Sequence, residues 1–164
     1  MFRNELAGNR DMYVVQSTNG GKKFGKAQKL GKGSWKLNAC PMDGGMLDFP
    51  RQKGGAKSGK PATVWRREND IIAASQGGPE RTLGRGLQPW TTQSSDGAYS
   101  IWVSARPGDL MLSKAGDEPE KLAEGASDPT IASTPDGSIV VAAWEQGSEV
   151  KVAVVREREE SARN

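Results

Sequence analysis

Pro89-Trp90-Thr91-Thr92-Gln93-Ser94-Ser95-Asp96-Gly97-Ala98-Tyr99-Ser100-Ile101-Trp102 is answered, forty residues later, by the stretch that runs from Pro129 through Thr134-Pro135-Asp136-Gly137-Ser138 to Trp144. Pro89 maps to Pro129, Asp96 to Asp136 and Gly97 to Gly137. In each stretch a short strand enters a Ser-rich Asp-Gly turn and leaves as an alternating apolar strand carrying a Trp. Asp-Gly between alternating strands is the strongest short-range hairpin signal. A looser third copy starts at Pro41, forty-eight residues before Pro89, and reaches Trp65 after a Gly/Lys-rich hairpin loop, Gln52 to Lys60.

Copies at forty to forty-eight residues fit one four-stranded antiparallel blade each of a β-propeller. The strand pattern places residues 11–17 and 27–30 in a first blade, and 45–49, 62–67, 70–75 and 80–84 in a second. The third takes 89–94, 99–105, 109–113 and 120–123; the last takes 129–133, 138–145 and 149–155. The expected organisation is an all-β, partial β-propeller over 1–155, with blades at 1–37, 38–86, 87–126 and 127–155, and a charged flexible tail at 156–164. Three to four blades fall short of a closed ring, which takes at least ~4. The chain therefore reads as a propeller fragment from a six-bladed ring, completed by a longer parent protein or by a homodimer that closes the propeller.

Composition narrows the chemistry. The sequence holds 164 residues with 21 Gly, 9 Pro and no His. Ser/His/Asp and Cys/His nucleophile systems and His-ligated zinc are thereby excluded. Cys40 is the only cysteine, so no intrachain disulfide forms, and it reads as a small buried hydrophobe. No cofactor is expected, and no metal, since the acidic residues follow no calcium-loop pattern. The net charge of +3 is uneven, with Lys22, Lys23, Lys26, Lys29, Lys32 and Lys36 on one hairpin and Asp109, Asp117, Glu118, Glu120 and Glu124 later. Both groups read as solvated rims. Base-stacking aromatics are not interleaved with the lysines, so no nucleic-acid partner is expected. No apolar run approaches the ~18 residues of a membrane span, and the N-terminus lacks the apolar core of a signal peptide. The expectation is no membrane partner and a cytoplasmic product as the chain stands, with export open to a longer parent.

One further phrase, Ser17-Thr18-Asn19-Gly20-Gly21-Lys22-Lys23-Phe24, has the form Ser-x-Asp/Asn-x-Gly-x-x-aromatic. A Ser hydroxyl and a short Asx side chain two residues on take up the free amides of a tight turn, and glycine supplies positive φ. Phe24 is expected to tuck under the hairpin. The phrase resembles the Asp-box, or bacterial neuraminidase repeat, of sialidase-like β-propellers, with Ser17, Asn19, Gly21 and Phe24 as its structural positions and Asn19 where Asp is usual. The stretches Arg10-Asp11-Met12-Tyr13, Trp35-Lys36-Leu37-Asn38, Cys40 to Gly45 and Trp65 to Glu68 are similar to the C-terminal part of the same group. That resemblance implies a propeller and leaves the activity open. Sialidase chemistry takes an arginine triad, a Tyr activated by Glu and an Asp acid/base. The Arg-Ile-Pro segment that brings the first arginine is absent, and Tyr13 and Tyr99 read as packed strand aromatics.

Propeller geometry orders the remaining candidates. Loops between second and third strands, and entries to innermost strands, open on the face where ligands bind. These carry Arg10, Asp11, Asp43, Arg66, Glu68, Trp90, Arg106 and Glu145, with Asn38, Arg67, Gln88 and Asp128 beside them. Arginines, carboxylates and a Trp suit a carboxylated sugar or an acidic peptide; the competing reading has these charges pairing to staple neighbouring blades. The Trp at 65, 102 and 144 read as packing between blades. The functional expectation is a binding or scaffolding module for a glycan or protein ligand, the alternative being a sialidase-type glycoside hydrolase that draws residues from missing blades or a partner chain.

Overall fold

A computed structural model describes residues 1–50, 59–114 and 116–157. Among them every regular element is a strand. β1 (Phe2–Arg3), β2 (Met12–Val14) and β3 (Gln28–Lys29) form one sheet in that order, and β4 (Gly45–Asp48), β5 (Ala62–Arg67), β6 (Asp70–Ser75) and β7 (Arg81–Arg85) form a second. A third sheet holds β8 (Leu87–Ser94), β9 (Gly97–Val103), β10 (Gly108–Lys114), β11 (Glu120–Ser133), β12 (Ile139–Gln146) and β13 (Glu149–Glu157), again in chain order. All pairings are antiparallel. The six-stranded sheet is curled, bringing β8 back against β11, where Ser133 Oγ donates to the Gln93 carbonyl at 2.6 Å.

The strand pattern departs from expectation in three places. β1 lies outside the expected strands, being too short to display alternation. Residues 120–123 and 129–133, expected as two strands, belong to the single β11, which exchanges partners at Ala126: that residue registers with Gly108 of β10 on one side and Gln146 of β12 on the other. A register shift between Ser127 and Thr130, with Asp128 at φ 47°, bends the strand where Gly125 and Pro129 suggested a break. Arg156, placed in the tail, lies within β13 opposite Val140. The remainder of that tail, 158–164, and most of the Gln52–Lys60 loop lie outside the described residues.

The core repeats one arrangement. Trp65 of β5 packs on Met12, Val14 and Leu30 of the first sheet. Trp102 of β9 packs on Val64, Ile71 and Leu83 of the second, and its indole N–H donates to the Arg85 carbonyl at 3.2 Å. Trp144 of β12 lies among Ile101, Val103, Leu110 and Leu112 of β9 and β10. Strand alternation explains the pattern: each Trp faces the preceding layer while its chain neighbours face the next. The three Trp residues retain at most 8% exposure. Burying a side chain of this size contributes ~3 kcal/mol relative to leaving it wet, so these contacts bind the layers together.

Two apolar expectations are corrected. Cys40 is exposed, because it lies in the irregular segment ahead of β4 where no sheet covers it. Phe24 stays 57% exposed, since its bridge to Ser17 sits at the open margin of the first sheet with no neighbouring layer beneath.

Candidate functional site

The segments entering β4, β8 and the second half of β11 come together at one margin of the layers. Asp43 precedes β4, Gln88 and Trp90 lie in β8, and Asp128 sits at the bend of β11. Gln88 and Asp128 both hold left-handed backbone, at φ 54° and 47°, a conformation that costs a residue with a Cβ roughly 1–2 kcal/mol. Local hydrogen bonds over-determine it. The Gln88 amide donates to Asp43 Oδ2 at 3.2 Å, Gln88 Nε2 donates to Asp128 Oδ1 at 2.6 Å, and the Asp128 amide returns a bond to Gln88 Oε1 at 3.2 Å.

An arginine closes each end. Arg66 Nη1 reaches both Asp43 oxygens, at 3.1 and 3.0 Å, and Arg106 Nη2 reaches Asp128 Oδ2 at 2.6 Å. The belt Arg66–Asp43–Gln88–Asp128–Arg106 borders a cleft of about 340 Å³ whose walls include Met42, Pro89, Trp90 and Pro129. Trp90 keeps 36% of its surface exposed there. The arrangement combines a flat aromatic face with carboxylate and amide groups fixed by their own hydrogen bonds, which suits a ligand rich in hydroxyls.

Behind the belt, the guanidinium groups of Arg3 and Arg66 lie 5.2 and 5.5 Å from the Trp35 ring centroid. Arg3 Nη1 donates to the Arg10 carbonyl at 2.7 Å and Nη2 to the Arg66 carbonyl at 2.8 Å. Burial lowers the pKa of Arg3, and the nearby Arg66 charge lowers it further, against the attraction of Asp43 and Asp11. Arg3 thus ties the first sheet to the end of β5 that carries Arg66. Nothing in the sequence singled it out, because its burial depends on Trp35 and Asp43, distant in the chain.

The eight residues proposed from sequence divide. Asp43, Arg66, Trp90 and Arg106 gather at the belt and cleft. Arg10 is half-buried, with its amide donating to the Trp35 carbonyl at 2.7 Å and its Nε buried without a partner among the described residues. Asp11 is held inside the first sheet: it accepts from Ser34 Oγ at 2.9 Å and the Trp35 amide at 3.0 Å, and pairs with Lys29 at 2.7 Å. Burial pushes its carboxyl up, but those donors outweigh burial and leave its pKa lowered. Glu68 occupies the β5–β6 turn at φ 57°, offering its carbonyl to Arg66 Nε. Glu145 is exposed on β12 opposite Ser127 and Val150, off the cleft wall.

The Ser17 turn closes as its residue types predict. Ser17 Oγ accepts from the Gly21 amide and Asn19 Oδ1 from the Lys23 amide, both at 2.9 Å, and the hydroxyl donates to Asn19 Oδ1 at 2.9 Å. The same hydroxyl-to-Asx bond recurs from Ser94 to Asp96 at 2.7 Å and from Thr134 to Asp136 at 2.6 Å. Asp96 alone adds cations, Lys114 at 2.9 Å and Arg156 Nε at 3.1 Å. Burial opposes its ionisation, yet Lys114, Ser94 and Arg156 hold its carboxyl well below the usual range.

Among the described residues no group of three or more His, Cys, Asp or Glu could hold a metal ion, and no helix is long and apolar enough to cross a membrane. Comparison of the chain with protein-family models, with curated proteins and with solved structures returns no match.

Proposed function

We propose that the chain is an Asp-box β-propeller fragment of about three to four blades, the curled six-stranded sheet supplying the last two, that acts as a carbohydrate-binding module. The propeller reading is supported by the Trp that each layer inserts into the one before it and by the turn bond that recurs at Ser17, Ser94 and Thr134. The binding reading rests on one observation: the exposed indole of Trp90 shares a concave cleft with the Asp43–Gln88–Asp128 belt. A sugar ring presents a C–H face for the indole and hydroxyl groups for fixed carboxylate and amide acceptors. Holding Asp43 and Asp128 with Arg66 and Arg106 prepares those acceptors before the ligand arrives.

Hydrolysis of the sialidase type fits this arrangement less well. Each belt carboxylate already accepts from an arginine. Tyr13 stacks on Phe2 with ring centroids 5.9 Å apart, and Tyr99 is buried beside Asp96. Neither tyrosine lines the cleft.

Glycan-array screening of the purified chain, followed by titration of the best binder against indole fluorescence, tests the reading. Trp90→Ala is expected to weaken binding about tenfold, matching ~1.5 kcal/mol for a stacked aromatic, with Trp90→Phe intermediate. An array without binders, selective capture of a peptide, or affinity indifferent to Trp90→Ala would count against a sugar site; release of a fluorogenic sialoside would favour the hydrolase.

A further inference from the structure

The two ends of the stack carry complementary faces. In β12, Val140, Ala142 and Trp144 face the layer before, so Val141 and Ala143 face outward, in register with Val154 and Val152 of β13. Val150, Val152 and Val154 are 71, 65 and 57% exposed. Ala143 and Val152 form the cross-strand pair that corresponds to Ile101 and Leu112 one layer earlier, counting from the Trp of each layer: Trp102 registers with Met111 and Trp144 with Lys151. Ile101 and Leu112 help to house Trp144. The last layer therefore repeats a receiving face into which none of the described residues inserts.

At the opposite end, Met12 and Val14 face the second sheet, so Tyr13 and its register partner Phe2 face away from it. β1 pairs with β2 as β5 pairs with β6, and Phe2 opposite Tyr13 stands where Trp65 stands opposite Ile72. Phe2 is 41% exposed and stacked on Tyr13 at an interplanar angle of 24°. This is the inserting face, without a host among the described residues.

We propose that the outward valine face of β12 and β13 receives the Phe2–Tyr13 face of a second copy of this chain, and that the contact, made twice, closes a dimer. Charge favours the pairing. The first sheet and its turns carry Lys22, Lys23, Lys26, Lys29, Lys32 and Lys36, whereas the valine face is flanked by Glu145 and Glu157, neither of which has an ion-pair partner among the described residues. Size sets its strength. Strands of two to three residues at ~3.3 Å rise and ~4.8 Å spacing offer roughly 115 Å² of sheet per side, so two seams bury on the order of 500 Å², the scale of a weak, reversible contact. The assignment rests on the proposed reading of the layers as blades and is independent of the sugar cleft.

Sedimentation equilibrium over a concentration series tests it. The expected species is a reversible dimer at twice 17.6 kDa. Val152→Asp and Phe2→Ser, on opposite faces, should each weaken dimerisation at least tenfold, with an unchanged near-ultraviolet Trp spectrum reporting an intact fold. In a Cys40→Ser background, Phe2→Cys combined with Val152→Cys should give an interchain disulfide between positions 2 and 152. A monomer at all concentrations, a dimer indifferent to both single substitutions, or open-ended growth beyond two copies overturns the proposal.

Discussion

In the first sheet, β1, β2 and β3 have two, three and two residues, and its buried apolar side chains are those that receive Trp65. In the six-stranded sheet the strands run from seven to fourteen residues around a continuous cluster that extends from Tyr99 to Trp144. Both use the same Ser/Thr-x-Asx turn bond. With few ladder bonds available, the first sheet is held by polar staples: Asp11 gathers Lys29, Ser34 and Trp35, and Arg3 reaches the Arg66 carbonyl. The six-stranded sheet is held by area. Short strands thus tolerate loss of an apolar contact better than loss of a hub acceptor, and long strands the reverse.

Trp102→Ala should produce the largest effect. The side chain is 1% exposed and spans the seam between the second and third sheets. Large-to-small replacement of a buried aromatic costs about 3–5 kcal/mol, transfer and cavity together. Urea denaturation checks the value, and a loss below ~1 kcal/mol would mean that area is not what secures the larger sheet. Asp11→Ala comes next. It strands the Trp35 amide and removes the partner of Lys29, a loss of about 1.5–3 kcal/mol for a buried charge-assisted site, expected to fall on the first sheet. Hydrogen exchange should show faster amides in β2 and β3 with β9 to β12 unchanged. Uniform acceleration would erase the distinction between the two regions.

The same contrast explains which features were legible in the sequence. β5 and β6 coincide with the expected 62–67 and 70–75 because short β-branched and aromatic runs, Thr63 to Trp65 and Ile71-Ile72, on either side of a two-residue turn are local signals. The Pro89/Pro129 repeat pointed to Gln88 and Asp128 as paired entries, and they do meet. What was not legible depended on partners far along the chain. β11 continues as one strand past the left-handed Gly125 and Asp128 because β10 and β12 hold it in turn. Arg156 opens a run of charges that reads as a loose tail, yet its guanidinium reaches Asp96 and the Gly137 carbonyl. Cys40, a residue type usually buried, is exposed because its loop has no layer above it.

The smallest expected effect compares the turns themselves. Asn19 is neutral and exposed, while Asp96 is ionised between Lys114 and Arg156. Because the folded carboxyl of Asp96 binds its proton at lower pH than the unfolded one, near ~3.9, its contribution is complete above that value and disappears as pH falls below it. Asp96→Asn should therefore destabilise the chain by on the order of 1 kcal/mol at pH 7, with the difference shrinking toward zero in the acid limb. Asn19→Asp should change stability by a few tenths of a kcal/mol at most, since the turn bonds at Ser17 and Lys23 use only the oxygen that both side chains possess. Thermal unfolding of the two variants at pH 7 and in acid measures both slopes. A pH-independent deficit for Asp96→Asn would locate the value of that turn in its shape, as at Asn19, and not in the charges gathered on it.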